Sequence, residues 1–303
     1  ELHFFTNVDR KKERTLYFME HQKKHYRRGR RKKKKWTVGR VISIIVLIVA
    51  LGVFCFSGFK LFQIYSGYHK GETEYEDIVN LAVTNNGKEQ GHLIDVDFEA
   101  LKEINTDVVA WIHFEAPEII NYPVVQGKDN DEYLYKTFKG YDNTVGTIFV
   151  NAYNNVDFND KNTIIYGHYM YNGTMFNELD SYADKEFWDS HPYFYIYTPD
   201  GREIKYQIYS AGVVKDTSES YTYQFENDAS FELFLQITKS ISNYDTGVTP
   251  GTDAEVVTLS TCTKDDNDDR FVVHGVKVEE NSMANNVERI FEVGDVIKMK
   301  KTH

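Results

Sequence analysis

The chain has 303 residues, enough for one good-sized domain with accessory segments, and a formal net charge of −11. That charge is segregated: residues 1–60 hold sixteen Lys and Arg against four Asp and Glu, whereas residues 61–303 hold 19 against 42. So acidic a second part argues against nucleic acid as a partner, and the chain has neither a Gly-rich phosphate loop nor His, Cys and Asp at metal-ligand spacing.

In chain order, the basic run Arg27 to Lys35 comes first, followed by an uncharged apolar stretch from Val41 to Phe59. Those nineteen residues, as a helix, reach roughly 28 Å, close to a bilayer's hydrocarbon thickness. Trp36 stands at the leading edge, where interfacial aromatics are common. The positive-inside rule puts residues 1–36 in the cytoplasm as a basic tail, residues 37–60 in the membrane as a signal anchor, and the rest outside. A nuclear-localisation run would share the basic cluster but not the apolar span beside it. A cleaved signal peptide would have a shorter apolar run and a small-residue cleavage site. The tail's charge also suits it to anionic lipid.

Residues 61–96 read as a helical stalk or brace. Leu61–Thr84 is amphipathic, with Ile64, Ile78, Leu81 and Ala82 as packing positions, and Asn85 to Lys88 breaks it. A short helix is expected over Asp97–Ile104. From Val108 the texture changes to short strand-like runs between turn residues: Val108–Phe114, Tyr122–Gln126, Gly146–Val150, Thr163–Tyr166, Phe194–Thr198, Glu203–Val214, Glu255–Thr261 and Phe271–Val278. Helical patches interrupt them at Thr174–Tyr182, Lys185–Asp189 and Ala229–Ser242. Some eight strands of this kind predict a mainly β domain, a closed antiparallel or mixed barrel over residues 97–280 with accessory helices. Residues 281–303 form a tail in which Phe291–Met299 could add a strand.

The chain has two cysteines. Cys55 lies within the apolar span, so Cys262 is left as an unpaired thiol in the exported part. There an unpaired thiol is an oxidation hazard, retained either by burial or for chemistry. Cys262 ends the strand Thr258-Leu259-Ser260-Thr261-Cys262, His168 ends the strand Asn162 to Gly167-His168, and Arg270 opens the strand after Cys262. A hairpin carrying Lys264–Asp269 would put Cys262 and Arg270 on neighbouring strands. A thiolate needs a cation or a base nearby, a histidine can return a proton to a leaving amine, and an arginine can hold an oxyanion. Each residue also has a plainer reading. A cysteine at a strand end is often a small buried hydrophobe, a Gly-His pair is often a loop, and Arg270 could pair with adjacent aspartates.

Together the three residues carry a resemblance. The chain is similar to the sortases, which share a TLxTC strand end, an upstream strand ending in His, and an Arg after the Cys; here these are Thr258 to Cys262, His168 and Arg270. The stretches WIHFEAPEIINYPVVQGKDNDEYLYKTFKG, GTIFVN and KNTIIYGHYMYNGTMFNEL look like class B, and the likeness spans roughly residues 97–278. It implies an eight-stranded barrel in a membrane-anchored cysteine transpeptidase, on the outer side of a Gram-positive cytoplasmic membrane. By that likeness Cys262 attacks the carbonyl after Thr in the C-terminal sorting motif of a secreted protein. His168 protonates the departing amine, Arg270 positions substrate and stabilises the oxyanion, and a peptidoglycan amine resolves the thioacyl enzyme. Ser260 and Thr261 would line the substrate groove. The segment Tyr221–Gly251 stands where class B members carry a substrate-shaping insert.

With no metal-ligand spacing and no phosphate loop, no cofactor and no metal are expected. A peptidase that only hydrolyses, and a non-catalytic membrane-tethered binding domain, remain alternatives. The run Asp265–Asp269 invites calcium but lacks the glycine and the distal glutamate of an EF-hand loop. His113 and His274 fall within strand patterns and read as barrel-wall residues.

Overall fold

The structure, a computed structural model, describes residues 37–84, 93–115, 120–263 and 268–282. The chain divides into two units, residues 1–60 and 61–303. The expected break at Asn85 to Lys88, the acidic residues 265–267 and the strand expected over Phe291–Met299 lie outside the described residues.

Helix α1 (Val38–Ala82) runs 45 residues without interruption, since no proline falls within it. The sequence reading instead separates an anchor from a second helix at Lys60. Apolar side chains of α1 from Val46 to Phe62 are exposed. It is the one helix among the described residues long and apolar enough to cross a membrane. Its last turns bury a single stripe, Gly71, Tyr75, Ile78 and Ala82, at helical spacing. Ile78 and Ala82 are therefore packing positions as expected, but Ile64 and Leu81 are exposed. Ile64 lies on the same stripe a heptad before its first buried residue, and Leu81 points about 90° away from it.

A two-residue clip joins β1 (Val83–Thr84) to β2 (Asp95–Val96). Helix α2 (Phe98–Ile104) follows; the Asp97 carboxylate accepts the Ala100 N–H at 2.9 Å, and Phe98 and Leu101 are buried.

Eight strands then close the expected barrel: β3 (Val108–His113), β4 (Asn121–Val125), β5 (Ile148–Val150), β6 (Asn162–Tyr166), β7 (Tyr193–Tyr197), β8 (Arg202–Lys215), β9 (Val256–Cys262) and β10 (Asp269–Ser282). Their order around the barrel is β10-β8-β7-β3-β4-β5-β6-β9. Pairing is antiparallel except at β4–β5 and β6–β9, which are parallel. The 14-residue strands β8 and β10 pair along their length with register shifts at His274/Gly275 and Lys277/Glu279. Such irregularities bend a strand and help a sheet to close. Inside, the Phe194 ring stacks on Phe114 at 5.4 Å and on Tyr206 at 5.1 Å. The buried Trp111 indole donates to Asn121 at 2.6 Å. His113 and His274 are both buried in barrel strands.

Helix α3 (Lys185–Ser190) precedes β7, and a seven-residue 3-10 segment (Asn177–Ala183) takes the place of the helix expected over Thr174–Tyr182. Helix α4 (Asp228–Ser240) begins with a reciprocal cap between Asn227 and Ser230. It buries Phe231, Phe234 and Leu235 against Tyr209, Val256 and Val276, a satellite of the main core. His274 lies close by, fully buried, with Tyr209 and Phe234 rings at 5.8 and 6.4 Å and no hydrogen-bond partner among the described residues for either ring nitrogen.

Burial pushes the His274 imidazole down to about 3. Above the usual histidine value of about 6.5 both folded and unfolded chains carry it neutral. Below that, the unfolded chain takes up a proton that the folded barrel refuses, so stability falls by about 1.4 kcal/mol per pH unit until the folded value is reached. His274→Leu removes that component. Between about pH 6.5 and pH 5 the urea-unfolding free energy of the variant should fall by about 2 kcal/mol less than that of the parent; parallel pH slopes would contradict this.

Candidate active site

The three chemistry-bearing side chains arrive by three routes at one cavity of about 340 Å³. Cys262 is the last residue of β9 and Arg270 the second of β10, and the antiparallel register sets them directly opposite each other. The expected neighbourhood of Cys262 and Arg270 on adjacent strands is thus what the barrel contains. His168 follows β6, which runs parallel to β9 with Tyr166 opposite Ser260. The pairing continues one step further, since the Gly167 N–H donates to the Ser260 carbonyl at 3.1 Å. Gly167 suits this place because a Cβ there would stand 2.6 Å from the Phe176 ring.

His168 Nε2 lies 2.5 Å from the Leu134 carbonyl oxygen. A carbonyl only accepts, so Nε2 carries the proton, and in the neutral ring Nδ1 is left as the basic nitrogen. The Tyr135 ring lies beside the imidazole at 5.8 Å. Cys262, His168 and Arg270 are all half-buried, reachable by a ligand without being freely solvated.

Arg270 Nη1 donates to the Asp269 carbonyl at 3.1 Å, and Nη2 stands 4.0 Å from Asp216 Oδ2. Arg270 thus stands beside the carboxylate of Asp216, in the loop after β8, whereas the adjacent Asp269 offers it a main-chain carbonyl. Asp269 itself holds Lys215 at 2.6 Å.

Ser260 and Thr261 both border the cavity and both are buried. The Ser260 hydroxyl shares a 2.8 Å hydrogen bond with the Tyr221 phenol, while the buried Thr261 hydroxyl has no partner among the described residues. Burial pushes the Tyr221 phenol up to about 12, against the Ser260 hydrogen bond and the Arg270 cation, which act to lower it. Tyr221 stays protonated near neutrality. Its ring lies parallel to that of Tyr166 at 6.2 Å, and Tyr166 leans on Phe149 at 5.3 Å, giving one wall of the cavity an aromatic lining.

Sequence reasoning does not find Leu134, whose contribution is a main-chain carbonyl, nor Asn130, Phe149, Tyr166 and Asp216. Tyr221 begins the segment singled out as a class B insert, which was the available signal. Among the described residues no three His, Cys, Asp or Glu side chains gather as metal ligands. Both cysteines are free thiols.

Comparison with known proteins agrees with this architecture. A family model described as a sortase domain matches residues 114–278. The sortase B of Listeria monocytogenes is 35% identical over 254 residues, covering 80% of this chain and 98% of that protein. Among solved structures, a Staphylococcus aureus sortase B–substrate complex is 32% identical, with a TM-score of 0.57, covering 60% of this chain and 84% of that one. A sortase B complexed with triglycine has the same identity and TM-score over 60% of this chain and 85% of its own. With barrel, family model and full-length relative in accord, the chain belongs to the sortase family, in class B, whose members are cysteine transpeptidases.

Proposed function

We propose that this protein is a membrane-anchored sortase that cleaves a C-terminal sorting motif of secreted proteins after Thr and joins the new acyl end to a peptidoglycan amine. The observation that carries this reading is the single cavity bordered by Cys262, His168 and Arg270, with Cys262 and Arg270 in register across β9 and β10. The Cys262 thiol passes its proton to His168 Nδ1 as the sulfur attacks the carbonyl carbon after Thr; a C–S bond forms, and the C–N bond breaks as His168 hands that same proton to the leaving amine. The Arg270 guanidinium faces the oxygen on which negative charge builds. An acceptor amine then attacks the thioester, His168 takes its proton, and Cys262 leaves as thiolate. The substrate-bound and triglycine-bound relatives support a sorting peptide as donor and an amine as acceptor.

The exposed apolar run of α1 supports its role as the anchor. Residues 1–36 then form the cytoplasmic tail, residues 61–96 brace the domain, and residues 97–280 act outside the cell. A library of fluorogenic sorting-type peptides tests the donor half of this reading, with the scissile bond located by mass spectrometry. The expected cut follows Thr; cleavage elsewhere, or none in any member, would overturn it.

Arg270→Lys probes the oxyanion role. Lysine keeps the charge but loses the planar fork, so turnover should fall about 10²- to 10³-fold, equivalent to about 3–4 kcal/mol of transition-state stabilisation. A variant within about threefold of the parent would assign Arg270 to its aspartate partners instead.

A further inference from the structure

Tyr75, on the buried stripe of α1, is far from Cys262 in sequence but is linked to His168 through a short series of contacts. Its phenol donates to the Gly146 carbonyl at 2.6 Å and lies 3.1 Å from Thr147 Oγ1. Thr147 in turn clamps the segment 133–136 at both ends. Its N–H donates to the Tyr133 carbonyl at 3.1 Å, and its hydroxyl donates to the Lys136 carbonyl at 2.7 Å. Between those two anchors sits Leu134, whose carbonyl receives His168 Nε2. Gly146 is wedged in the same place. It has φ +62°, and a Cβ there would stand 2.5 Å from the Leu134 oxygen and 3.0 Å from His168 Cδ2.

We infer that Tyr75 is a positioning residue, and that the last turns of α1 set the tautomer and orientation of His168 through Gly146, Thr147 and the Leu134 carbonyl. The inference deepens the proposed function, because it rests on His168 as the proton-transfer group. Tyr75 is buried, with its ring edge-on to Tyr122 at 5.5 Å. Burial raises its phenol well above the ordinary tyrosine range, so it remains a donor wherever the enzyme is folded. A neutral imidazole has two tautomers, and the hydrogen bond at one nitrogen decides which nitrogen is basic. A carbonyl held rigidly against Nε2 keeps Nδ1 available; a carbonyl free to turn away does not.

The test uses the full chain in detergent micelles with three substitutions: Tyr75→Phe, which removes only the hydroxyl; Thr147→Val, which breaks the clamp; and Ile78→Val, which loosens the same buried stripe without touching the series. The ¹⁵N shifts of the His168 ring report the tautomer whether or not any peptide is turned over. The parent and Ile78→Val should hold the Nε2–H form, and Tyr75→Phe and Thr147→Val should show a mixture. With a sorting peptide and triglycine, Tyr75→Phe should lose about tenfold in kcat with KM within about twofold, since a small misplacement of a reacting group costs rate rather than binding. Combining Tyr75→Phe with Thr147→Val should cost little beyond the worse single change. An unchanged His168 tautomer in Tyr75→Phe would overturn the inference, as would an equal kcat loss in Ile78→Val. A failure of the proposed function is seen separately, as a parent enzyme that holds the Nε2–H tautomer but transfers no acyl group.

Discussion

Cys262→Ala is expected to abolish both cleavage and transfer, leaving no peptide adduct on the protein. The change is drastic for chemistry and mild for the fold. Cys262 is half-buried at the end of β9, so trimming one sulfur atom removes little packing, and thermal unfolding should move by only a few degrees. Without the sulfur there is no nucleophile to split a difficult amide cleavage into two easier steps. Cys262→Ser is nearly as severe: a hydroxyl is a much weaker nucleophile than a thiol unless a strong base is aimed at it. Rates should fall by at least about 10³-fold in either variant. The assay is a discontinuous mass-spectrometric count of cleaved and joined peptide, with circular dichroism showing the barrel intact. Retention of more than a few per cent of activity in Cys262→Ala would remove the thiol from the mechanism.

His168→Gln should cost about 10²- to 10⁴-fold, the usual worth of a positioned general acid–base group. Glutamine is chosen because its amide N–H can still donate to the Leu134 carbonyl, so the local hydrogen bond survives while the proton-transfer function does not. The loss should fall on kcat and kcat/KM together, because the proton is transferred in the transition state and contributes nothing to peptide binding. It should also depend on the leaving group. An amide needs its departing amine protonated, whereas an activated ester with a good leaving group needs little help. The variant should therefore be far closer to the parent on the ester than on the peptide. Equal losses on both substrates would mean that His168 supports the site rather than moving protons.

Much of the barrel is legible from sequence because turns and short β-branched or aromatic runs alternate from Val108 onward, and the eight expected strands correspond to β3–β10. Strand ends are less legible. β8 and β10 extend beyond the patterned core of each run because two long neighbours keep pairing with one another past the point where side-chain alternation is clear. The β1–β2 clip has no signature in two-residue strands whose pairing is decided by tertiary position. On α1, hydrophobicity identifies candidates but not the buried face: Gly71 and Tyr75, which look unpromising as packing residues, are buried, while Ile64 and Leu81 are exposed.

The site divides in the same way. Cys262, His168 and Arg270 are legible because each lies at a strand end or within two residues of one, and because the three together resemble a family. Leu134 contributes a carbonyl that any residue could supply, so nothing in its side chain marks it. Tyr75 and Thr147 act through hydrogen bonds between segments about seventy residues apart, and separations of that length leave no local pattern. Asp216 and Tyr221 reach the cavity only because β8 ends and the 3-10 turn Glu219–Tyr221 begins beside β9 and β10.

The central claim is that one sulfur carries the acyl group between two amines. Intact-protein mass spectrometry of the full chain, mixed with a cleavable sorting peptide and quenched in acid, reads this directly. The expected result is a single adduct with the mass of the acyl fragment, mapped to Cys262. It should vanish when triglycine is added, as a peptide–triglycine product appears in equal amount. An adduct that decays only to the hydrolysed acid at saturating triglycine, or one mapped to another residue, would contradict the account.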